Sequence, residues 1–545
     1  MAWRLTALYP FLFGAVYVLY LAWQSPGYYA IGDLLLIVFA ITAWIALVYL
    51  LAATFGRRAE GRLPALVAFL ALVIALGFSP LLTQLRGLPR GTRLIATALV
   101  SFVGMALTVR WLARRPSLLR SAATLLTLTG TLLLVRFGLA IALARHDASE
   151  EVEKSRLAHT LVRPIAGPRQ VPGPRRDIYL LVLDEYANDA VLKDRFRFDN
   201  RPFEDSLRSL GFYIPPVVSS NYVHTILSLP SLLNAAHLYA LESELSDHVR
   251  DPTLVNSLLE WNRVAAFLRR RGYEYVFFPS LWWYSTHGSR LADSVVDVWP
   301  GFDMAHALSR TELRRTIRQN TILRFLHRND PYDADYIRRT LAGIGAVGAR
   351  NRPVFAFAHI VSPHWPFVFN RDCSTPSASA DTLRGNAAYI EQVQCLNSLV
   401  LETVHRILRR SKVPPVILLQ GDHGTSTLEY SDAPTAAQVD PAAARERFGA
   451  FGAYYLPDSG AAAFGDTVTV VNVLGNVLRH YFGADLPPEA DDRFMSLERT
   501  PFVFSPAGGP SRSSTSLERT PRASHPEASG SVPTAPRPPR LRRSS

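Results

Sequence analysis

The chain has 545 residues, of which 48% are hydrophobic and 38 are prolines. It is too long for a single hydrophobic core, so we expect an apolar block joined to a globular one. The formal net charge is +13, but the arginines surround apolar segments or fall in the C-terminal tail. Because they form no basic stripe that alternates with aromatic residues, nucleic acid is not expected as a partner.

Five apolar stretches precede residue 146, each close to the roughly 20 residues that span a bilayer. They run at about Leu5–Trp23, Leu34–Phe55, Leu63–Leu82, Leu94–Leu112 and Leu118–Leu143. The first has no small-residue cleavage site and is followed at once by another apolar stretch, so it does not resemble a cleavable signal peptide. Residues 1–145 are therefore predicted to be a transmembrane domain of five helices.

The basic residues of the short connecting segments predict the orientation of this domain. With the N-terminus inside, the inner segments carry Arg4, Arg57, Arg58, Arg62, Arg110, Arg114, Arg115 and Arg120, and the outer ones carry Arg86, Arg90, Arg93 and Arg145. Cytoplasmic loops are enriched in Lys and Arg, so this orientation is favoured. An odd number of spans then places the rest of the chain outside, in an integral protein of a bacterial-type inner or cell membrane.

Residues 146–176 are polar and rich in Pro, Gly and charge, which predicts a juxtamembrane linker. After it, continuous apolar runs typical of buried strands alternate with patterns of helical spacing. The strand-like runs are Asp177–Leu183, Tyr273–Phe278, Pro353–Val361, Pro414–Gln420 and Phe451–Pro457, and the helical ones are Val255–Arg271, Tyr389–Arg410 and Val470–Phe482. This alternation predicts an α/β domain over residues 177–490, with a mostly parallel central sheet and helices on both faces.

Residues 500–545 are rich in Ser, Pro, Arg and Thr, which predicts a disordered basic tail. The string SLERTP occurs twice, at Ser496–Pro501 and Ser516–Pro521. Two short copies are too few for a repeat architecture.

The chain contains two cysteines, Cys373 and Cys395, which exclude a disulfide framework and a cysteine-rich zinc site. The two cysteines could form one bridge if their loop faces an oxidising compartment. Two unpaired thiols are an equally good interpretation of the sequence.

Polar residues follow three of the predicted strands. Asp184 and Glu185 come after the first, His364 after the third, and Asp422 with His423 after the fourth. A single aspartate at a strand end is more often a turn or cap residue. Ligands of such sheets bind at the carboxyl ends of the strands, however, and aspartate and histidine at three of them form an oxygen-rich site. This site suits one divalent metal ion, Zn²⁺, Mn²⁺, Mg²⁺ or Ca²⁺.

The segment Ser219–Asn234 places Thr225 ahead of a helix-like apolar run. A metal ion could deprotonate this hydroxyl, which would then meet a phosphorus centre at the N-terminus of the helix. A threonine that only caps the helix is the simpler interpretation of this segment alone.

The order LDEY, NYVHTILSLPSLLN, HIVSPHWPF and QGDHG resembles the alkaline phosphatase/sulfatase superfamily over roughly Asp177–Phe482. With the helical anchor, the chain is similar to lipoteichoic acid synthase-like and phosphoethanolamine transferase-like membrane enzymes. The resemblance implies that residues 177–490 are a catalytic domain. It implies a metal held by Asp184, Thr225, Asp422 and His423, with Thr225 also the nucleophile and His364 a phosphate-binding or leaving-group residue. Glu185 is an alternative ligand to Asp184, which we prefer because it directly follows the strand.

The sulfatase pattern CxPxR, followed by a Leu-Leu pair, tests the position of the nucleophile. Counting back seven residues from Leu232 gives Thr225, but Leu227 and Leu229 stand where the pattern has Pro and Arg. Threonine cannot be converted to formylglycine, so the departure favours phosphorus chemistry over sulfate-ester hydrolysis.

The resemblance therefore implies transfer of a phospho-head group from a lipid donor to an extracytoplasmic glycan or lipid. The expected partners are a membrane lipid and a phosphate- or sulfate-ester substrate. Hydrolysis of phosphate or sulfate esters at the same site is the alternative. A catalytically inactive binding module is a third interpretation, which the complete set of site residues disfavours.

Overall fold

The computed structural model of the chain describes residues 7–507, apart from positions 26, 56–61, 85–89, 170–172, 246–248, 281–285, 287, 300–310, 326–331, 349 and 377–384. The described residues belong to one compact unit, Met1–Ala507. Most of the predicted tail, residues 508–545, lies outside them.

The N-terminal region is helical. Its helices are α1 (Tyr9–Gln24), α2 (Ile31–Phe55), α3 (Arg62–Gln84), α4 (Arg90–Ala113) and α5 (Pro116–Lys154). By length and composition, three segments can cross a membrane: Ile31–Thr54, Gly91–Ala113 and Pro116–Lys154. Large apolar side chains such as Phe39 and Leu132 point outward from them, as lipid-facing residues do. Three of the five predicted spans meet this standard, and the five-span topology stays a prediction.

Helix α5 is longer than the predicted fifth span and runs to Lys154. The next helix, α6 (Arg156–Val162), begins at once, because the Ser155 hydroxyl caps it by accepting a hydrogen bond from the Ala158 N–H. The predicted linker is therefore helical over most of its first half. The segment after His146 is polar but rich in helix-forming residues, with a Glu150–Lys154 ion pair one turn apart, so its polarity reflects an exposed helix.

The α/β domain is built on a seven-stranded sheet. Its strands are β1 (Ile178–Leu183), β2 (Phe212–Tyr213), β4 (Glu274–Phe278), β5 (Ser294–Val295), β6 (Val354–Ile360), β7 (Val416–Gly421) and β8 (Gly452–Tyr455). The strand order is β2-β8-β7-β1-β6-β4-β5. Neighbours from β7 to β5 are parallel, and β8 is antiparallel to both β7 and β2. The predicted α/β domain with a mostly parallel sheet is thus confirmed.

Helices cover both faces of this sheet. The helices of the domain are α7 (Asp189–Phe196), α8 (Arg201–Ser209), α9 (Thr225–Asn234), α10 (Leu241–Glu244), α11 (Thr253–Glu260), α12 (Arg263–Arg269), α13 (Glu312–Asn320), α14 (Tyr332–Ile344), α15 (Asn386–Arg410), α16 (Pro441–Phe448) and α17 (Val470–Phe482). Helix α13 packs on the N-terminal helices instead of the sheet. Successive residues of β1 point to opposite faces, so Leu181 joins the core under α14 and α15 and Leu180 joins the core under α9 and α17. The helix predicted over Val255–Arg271 is two helices, because Asn262 caps α12.

Two further pairs of strands complete the domain. Strands β3 (Val217–Ser219) and β9 (Thr467–Thr469) are parallel, and β10 (Phe494–Leu497) and β11 (Thr500–Pro506) form an antiparallel pair. The prediction that the tail begins at residue 500 is therefore wrong. Phe502 and Phe504 of β11 are buried against Tyr222, and this packing orders the segment.

Candidate metal centre and active site

Three central strands end at the same level of the sheet. Leu183, the last residue of β1, pairs with Ile360 of β6 on one side and with Gly421 of β7 on the other. Asp184 and Asp422, the residues that directly follow β1 and β7, therefore lie side by side, and both are fully buried. The register brings together two carboxylates that are far apart in the chain.

The two aspartates form a candidate metal-binding group with His359, a buried residue of β6. One ligand atom from each of Asp184, His359 and Asp422 lies within 4.8 Å of the others. Both carboxylate oxygens of Asp184, Oδ2 of Asp422 and Nε2 of His359 are buried without a hydrogen-bond partner among the described residues. Buried polar atoms without partners are rare and costly, so these donors fit a divalent cation.

The orientation of His359 supports the role of a ligand. Its Nδ1 lies 3.0 Å from Thr286 Oγ1, and its Nε2 lies 3.3 Å from Asp184 Oδ2. A partner on one ring nitrogen commonly fixes the other toward a metal. Sequence reasoning missed His359, although a histidine within an otherwise apolar buried strand was a usable signal.

Thr225 and His423 adjoin this group. Thr225 Oγ1 lies 3.0 Å from Nε2 of His423, which is 3.3 Å from Asp422 Oδ2. Nδ1 of His423 lies 3.0 Å from the carbonyl oxygen of Gly424, which can only accept, so Nδ1 carries the hydrogen and Nε2 has its lone pair free. The structure thus brings the four sequence-predicted ligands together and adds His359.

Thr225 is the first residue of α9, and His224 occupies the capping position before it. The simpler interpretation of Thr225 as the cap therefore does not apply. The residue is 4% exposed, and its side chain is directed to His423. The N-terminus of a helix favours negative charge, which suits a threonine oxygen that attacks a phosphoryl group.

The two carboxyl groups differ in their protonation. Burial, followed by the nearby Asp184 carboxylate, raises the pKa of Asp422 well above its usual value. Burial alone would raise the pKa of Asp184 too, but its histidine neighbours, His364 first, outweigh burial and bring it to about 2. Without a cation, the pair therefore holds its proton on Asp422. Burial and then Arg447 lower the pKa of His423 well below its usual value, so the imidazole is neutral and able to bind a metal.

Glu185 points away from the candidate metal-binding group. Its φ angle of 57° lies in the left-handed region, and its carboxylate accepts a hydrogen bond from Arg447 Nη1 at 2.6 Å. Its backbone N–H donates to Asp422 Oδ1 at 3.1 Å. Between the two adjacent acidic residues, Asp184 is the one placed among the candidate ligands.

His364 lies on the loop after β6, outside the candidate metal-binding group. Its backbone N–H donates to the carbonyl of Asp184, and its Nε2 lies 4.0 Å from Glu185 Oε2. Gln392 of α15 fixes this loop, since its amide donates to the His364 carbonyl and accepts from the Val368 N–H. His364 is thus held beside the site, with a side chain that is 19% exposed.

A disulfide bond between Cys373 and Cys395 ties the same loop to α15. The sequence left open whether these cysteines pair, and the structure joins them. Disulfides persist in oxidising compartments.

A cavity of about 820 Å³ opens from the site toward the N-terminal helices. Its inner wall includes Thr225, His364, His423 and Arg447. Its outer wall includes Gln24 at the end of α1 and three carboxylates, Asp147 and Glu151 of α5 and Asp251. A substrate in this cavity would contact both the α/β domain and the helices that can cross a membrane.

The family model described as Sulfatase matches residues 180–490, more than half of the chain. The chain therefore belongs to the sulfatase family. The expected membership of the alkaline phosphatase/sulfatase superfamily is confirmed, and with it the expectation of an enzyme that transfers or hydrolyses phosphoric or sulfuric esters.

Several solved structures are similar to the chain. The C-terminal periplasmic domain of EcEptC from Escherichia coli is 12% identical, covers 62% of this chain and 94% of its own, and gives a TM-score of 0.39. The integral membrane protein lipooligosaccharide phosphoethanolamine transferase A from Neisseria meningitidis is 13% identical, covers 87% and 94%, and gives 0.35. BT1596, a 2-O GAG sulfatase, is 11% identical, covers 58% and 72%, and gives 0.38. No match was found among curated proteins.

Proposed function

We propose that the protein is a membrane-bound, metal-dependent phosphotransferase of the sulfatase family. It transfers a phospho-head group from a lipid donor to an extracytoplasmic glycan or lipid, with Thr225 as the nucleophile. The observation that carries the proposal is the buried Thr225 hydroxyl, 3.0 Å from His423 Nε2 and facing a cavity that α1 and α5 help to enclose. The Cys373–Cys395 bond supports an oxidising, extracytoplasmic location for the domain.

The residues that would hold a divalent cation are Asp184, His359, Asp422 and His423, with Thr225 beside them. When bound, such a cation would stabilise negative charge on the phosphoryl oxygens and on the threonine oxygen. The buried carboxylate oxygens, which have no hydrogen-bond partner in the described part of the chain, supply the negative charge that a divalent cation requires.

In the first half-reaction, Thr225 Oγ1 loses its proton to water in the cavity and attacks the phosphorus of the donor. The bond between phosphorus and the lipid oxygen breaks, and His364 donates a proton to that oxygen. The head group is then held on Thr225 as a phosphodiester. In the second half-reaction, His364 takes the proton of an acceptor hydroxyl, which attacks phosphorus. The bond between phosphorus and Thr225 Oγ1 breaks, and Oγ1 takes back a proton from water in the cavity.

The outer wall of the cavity supports a lipid donor and suggests its charge. Asp147 and Glu151 belong to α5, one of the helices that can cross a membrane, so a head group in the cavity can stay attached to its lipid. Together with Asp251 they outnumber Arg250, which lines the same cavity, and present net negative charge to the far end of the head group. A zwitterionic head group with a terminal amine is therefore favoured over an anionic one.

Thr225→Ala tests the nucleophile in the full-length protein, assayed with a head-group-labelled phospholipid in detergent micelles. We expect loss of turnover, with expression and unfolding temperature unchanged, because the hydroxyl contributes little to packing. Mass spectrometry of the wild-type protein should find a head-group phosphate on Thr225. Retained turnover in the Thr225→Ala variant would remove Thr225 from the mechanism.

Hydrolysis of a phosphate or sulfate ester is the second candidate, which the match to the sulfatase family model favours. The two candidates share all site residues and differ in the acceptor. Product analysis with and without an added glycan separates them. Release of the free head group alone, unchanged by the glycan, would indicate a hydrolase.

A further inference from the structure

Arg447 lies at the end of α16 and is 4% exposed. Its guanidinium group contacts three separate segments of the chain. Nη1 donates hydrogen bonds to Glu185 Oε1 at 2.6 Å and to the carbonyl oxygen of Gly424 at 2.9 Å. Nη2 donates to the carbonyl oxygen of Val223. One buried cation thus joins segments that are far apart in sequence.

Each of the three acceptors lies within two residues of a residue of the proposed site. Glu185 follows Asp184, and Gly424 follows His423. Val223 stands two residues before Thr225. The contacts of Arg447 therefore hold the side chain of Glu185, which follows Asp184, and the backbone beside His423 and Thr225.

Arg447 is itself held in place. Its carbonyl oxygen accepts the N–H of Gly424 at 2.8 Å, and its guanidinium carbon lies 5.2 Å from the centre of the Tyr430 ring. A Cβ atom on Gly424 would lie 2.0 Å from the carbonyl oxygen of Glu446, so only glycine allows this close approach. The loop after Asp422 and His423 is therefore packed tightly against the end of α16.

We propose that Arg447 is a positioning residue, which sets the position of Thr225 relative to Asp184 and His423. Its planar fork of donors satisfies three acceptors at once, whereas a lysine ammonium on a flexible stem could not reach all of them. This proposal rests on the proposed function, because the effect of Arg447 on turnover is measured with the proposed phospholipid reaction.

The test compares Arg447→Ala, Arg447→Lys and Arg195→Ala in the full-length protein with a head-group-labelled phospholipid. Arg195 is the matched control, because it bonds to the adjacent Glu446 and to Thr427 but to none of the three acceptors of Arg447. A small displacement of reacting groups can cost on the order of 100-fold, so kcat of both Arg447 variants should fall by about that factor while KM stays within about threefold. Arg195→Ala should leave both constants unchanged.

Rescue of kcat by added guanidinium ion distinguishes a positioning role from a purely structural one, which would give no rescue. The ion can enter the cavity next to the missing side chain, and it should restore part of the kcat of Arg447→Ala but none of that of Thr225→Ala. Absence of this rescue, or a kcat within about threefold of the wild type, would overturn the proposal. If Arg447→Ala does not fold, the kcat and KM of Arg447→Lys decide by the same criterion.

The activity of the wild-type protein on the labelled phospholipid shows which of the two proposals fails. If the wild type does not turn over the labelled phospholipid, the proposed function fails. The three variants are then compared on an aryl phosphate and an aryl sulfate ester, with the same criterion for Arg447. If the wild type is active and Arg447 variants match it, only the positioning role fails.

Discussion

His359 is the residue that completes the candidate metal group. Its Nε2 faces Asp184 and has no hydrogen-bond partner among the residues that the structure describes, so His359→Gln should weaken metal binding by more than about tenfold. His364→Gln is the matched control, since His364 lies outside the group and should lower turnover without changing metal content. Metal analysis after dialysis and calorimetric titration with Zn²⁺ or Mn²⁺ measure both. Equal metal binding by wild type and His359→Gln would contradict the assignment.

The raised pKa of Asp422 predicts how the stability of the metal-free protein and its affinity for metal depend on pH. Burial and then Asp184 raise the pKa of Asp422 in the folded state, so its stabilising contribution is complete below the usual carboxyl pKa. That contribution is lost as pH rises through the raised value, where the metal-free protein must ionise a buried carboxyl. Metal binding displaces the proton, so metal affinity should increase with pH over the same window.

Thermal unfolding with and without metal measures this dependence. The difference between the two unfolding temperatures should widen as pH rises from the usual carboxyl range through the raised pKa of Asp422. Asp422→Asn removes the titrating group at the same size, so its metal-free protein should lose the dependence. A difference that is constant with pH would argue against a proton shared at this site.

At the scale of elements, the loop that carries His364 depends on α15. The Cys373–Cys395 bond spans 22 residues and, by loop entropy, should stabilise the fold by about 3 kcal/mol. Cys373→Ser combined with Cys395→Ser should therefore lower the free energy of unfolding in urea by about that amount. It should also lower kcat, since the His364 loop is then held mainly by Gln392.

Reduction of the wild-type protein with dithiothreitol is the control for this pair of substitutions. It should reproduce both effects and have no effect on the double variant. Unfolding in urea that is insensitive to reduction in the wild type would mean that the bond contributes nothing to stability.

The strands of this domain could be predicted because buried parallel strands are continuous apolar runs. Three features could not, since each depends on packing. Polarity alone did not separate the exposed end of α5 from a linker. Strand β11 shares Thr, Ser and Pro with the tail, but the burial of Phe502 and Phe504 orders it. The break at Asn262 depends on a side-chain cap.

The site was predictable to the extent that the carboxyl ends of parallel strands share one edge. Asp184, Asp422 and His423 could therefore be grouped from the sequence. The contact between Thr225 and His423 joins residues 198 positions apart, and the sequence supplied only the family resemblance for it. His359 was missed because its role depends on the register of β6 rather than on a strand end.

At the scale of the whole molecule, the carboxylates of the outer wall should select the donor. Glu151→Gln should raise KM severalfold for a zwitterionic amine-bearing phospholipid and leave kcat unchanged, because it removes one negative charge from the end of the cavity. An anionic phospholipid should not be bound more weakly. Glu153→Gln, an exposed position on the same helix, is the matched control. An equal KM for both lipids in wild type and variant would exclude charge selection at this wall.

Helix α5 has a further consequence. Its 39 residues form one uninterrupted rod of about 58 Å, roughly twice the thickness of a bilayer core of about 30 Å. Its outer end forms part of the cavity, so if the protein acts as proposed, the rod would hold the reacting groups at a constant height above the lipid surface. Under the proposed function, the site could not then follow a distant acceptor. Acceptors tethered to the same membrane should therefore be modified first.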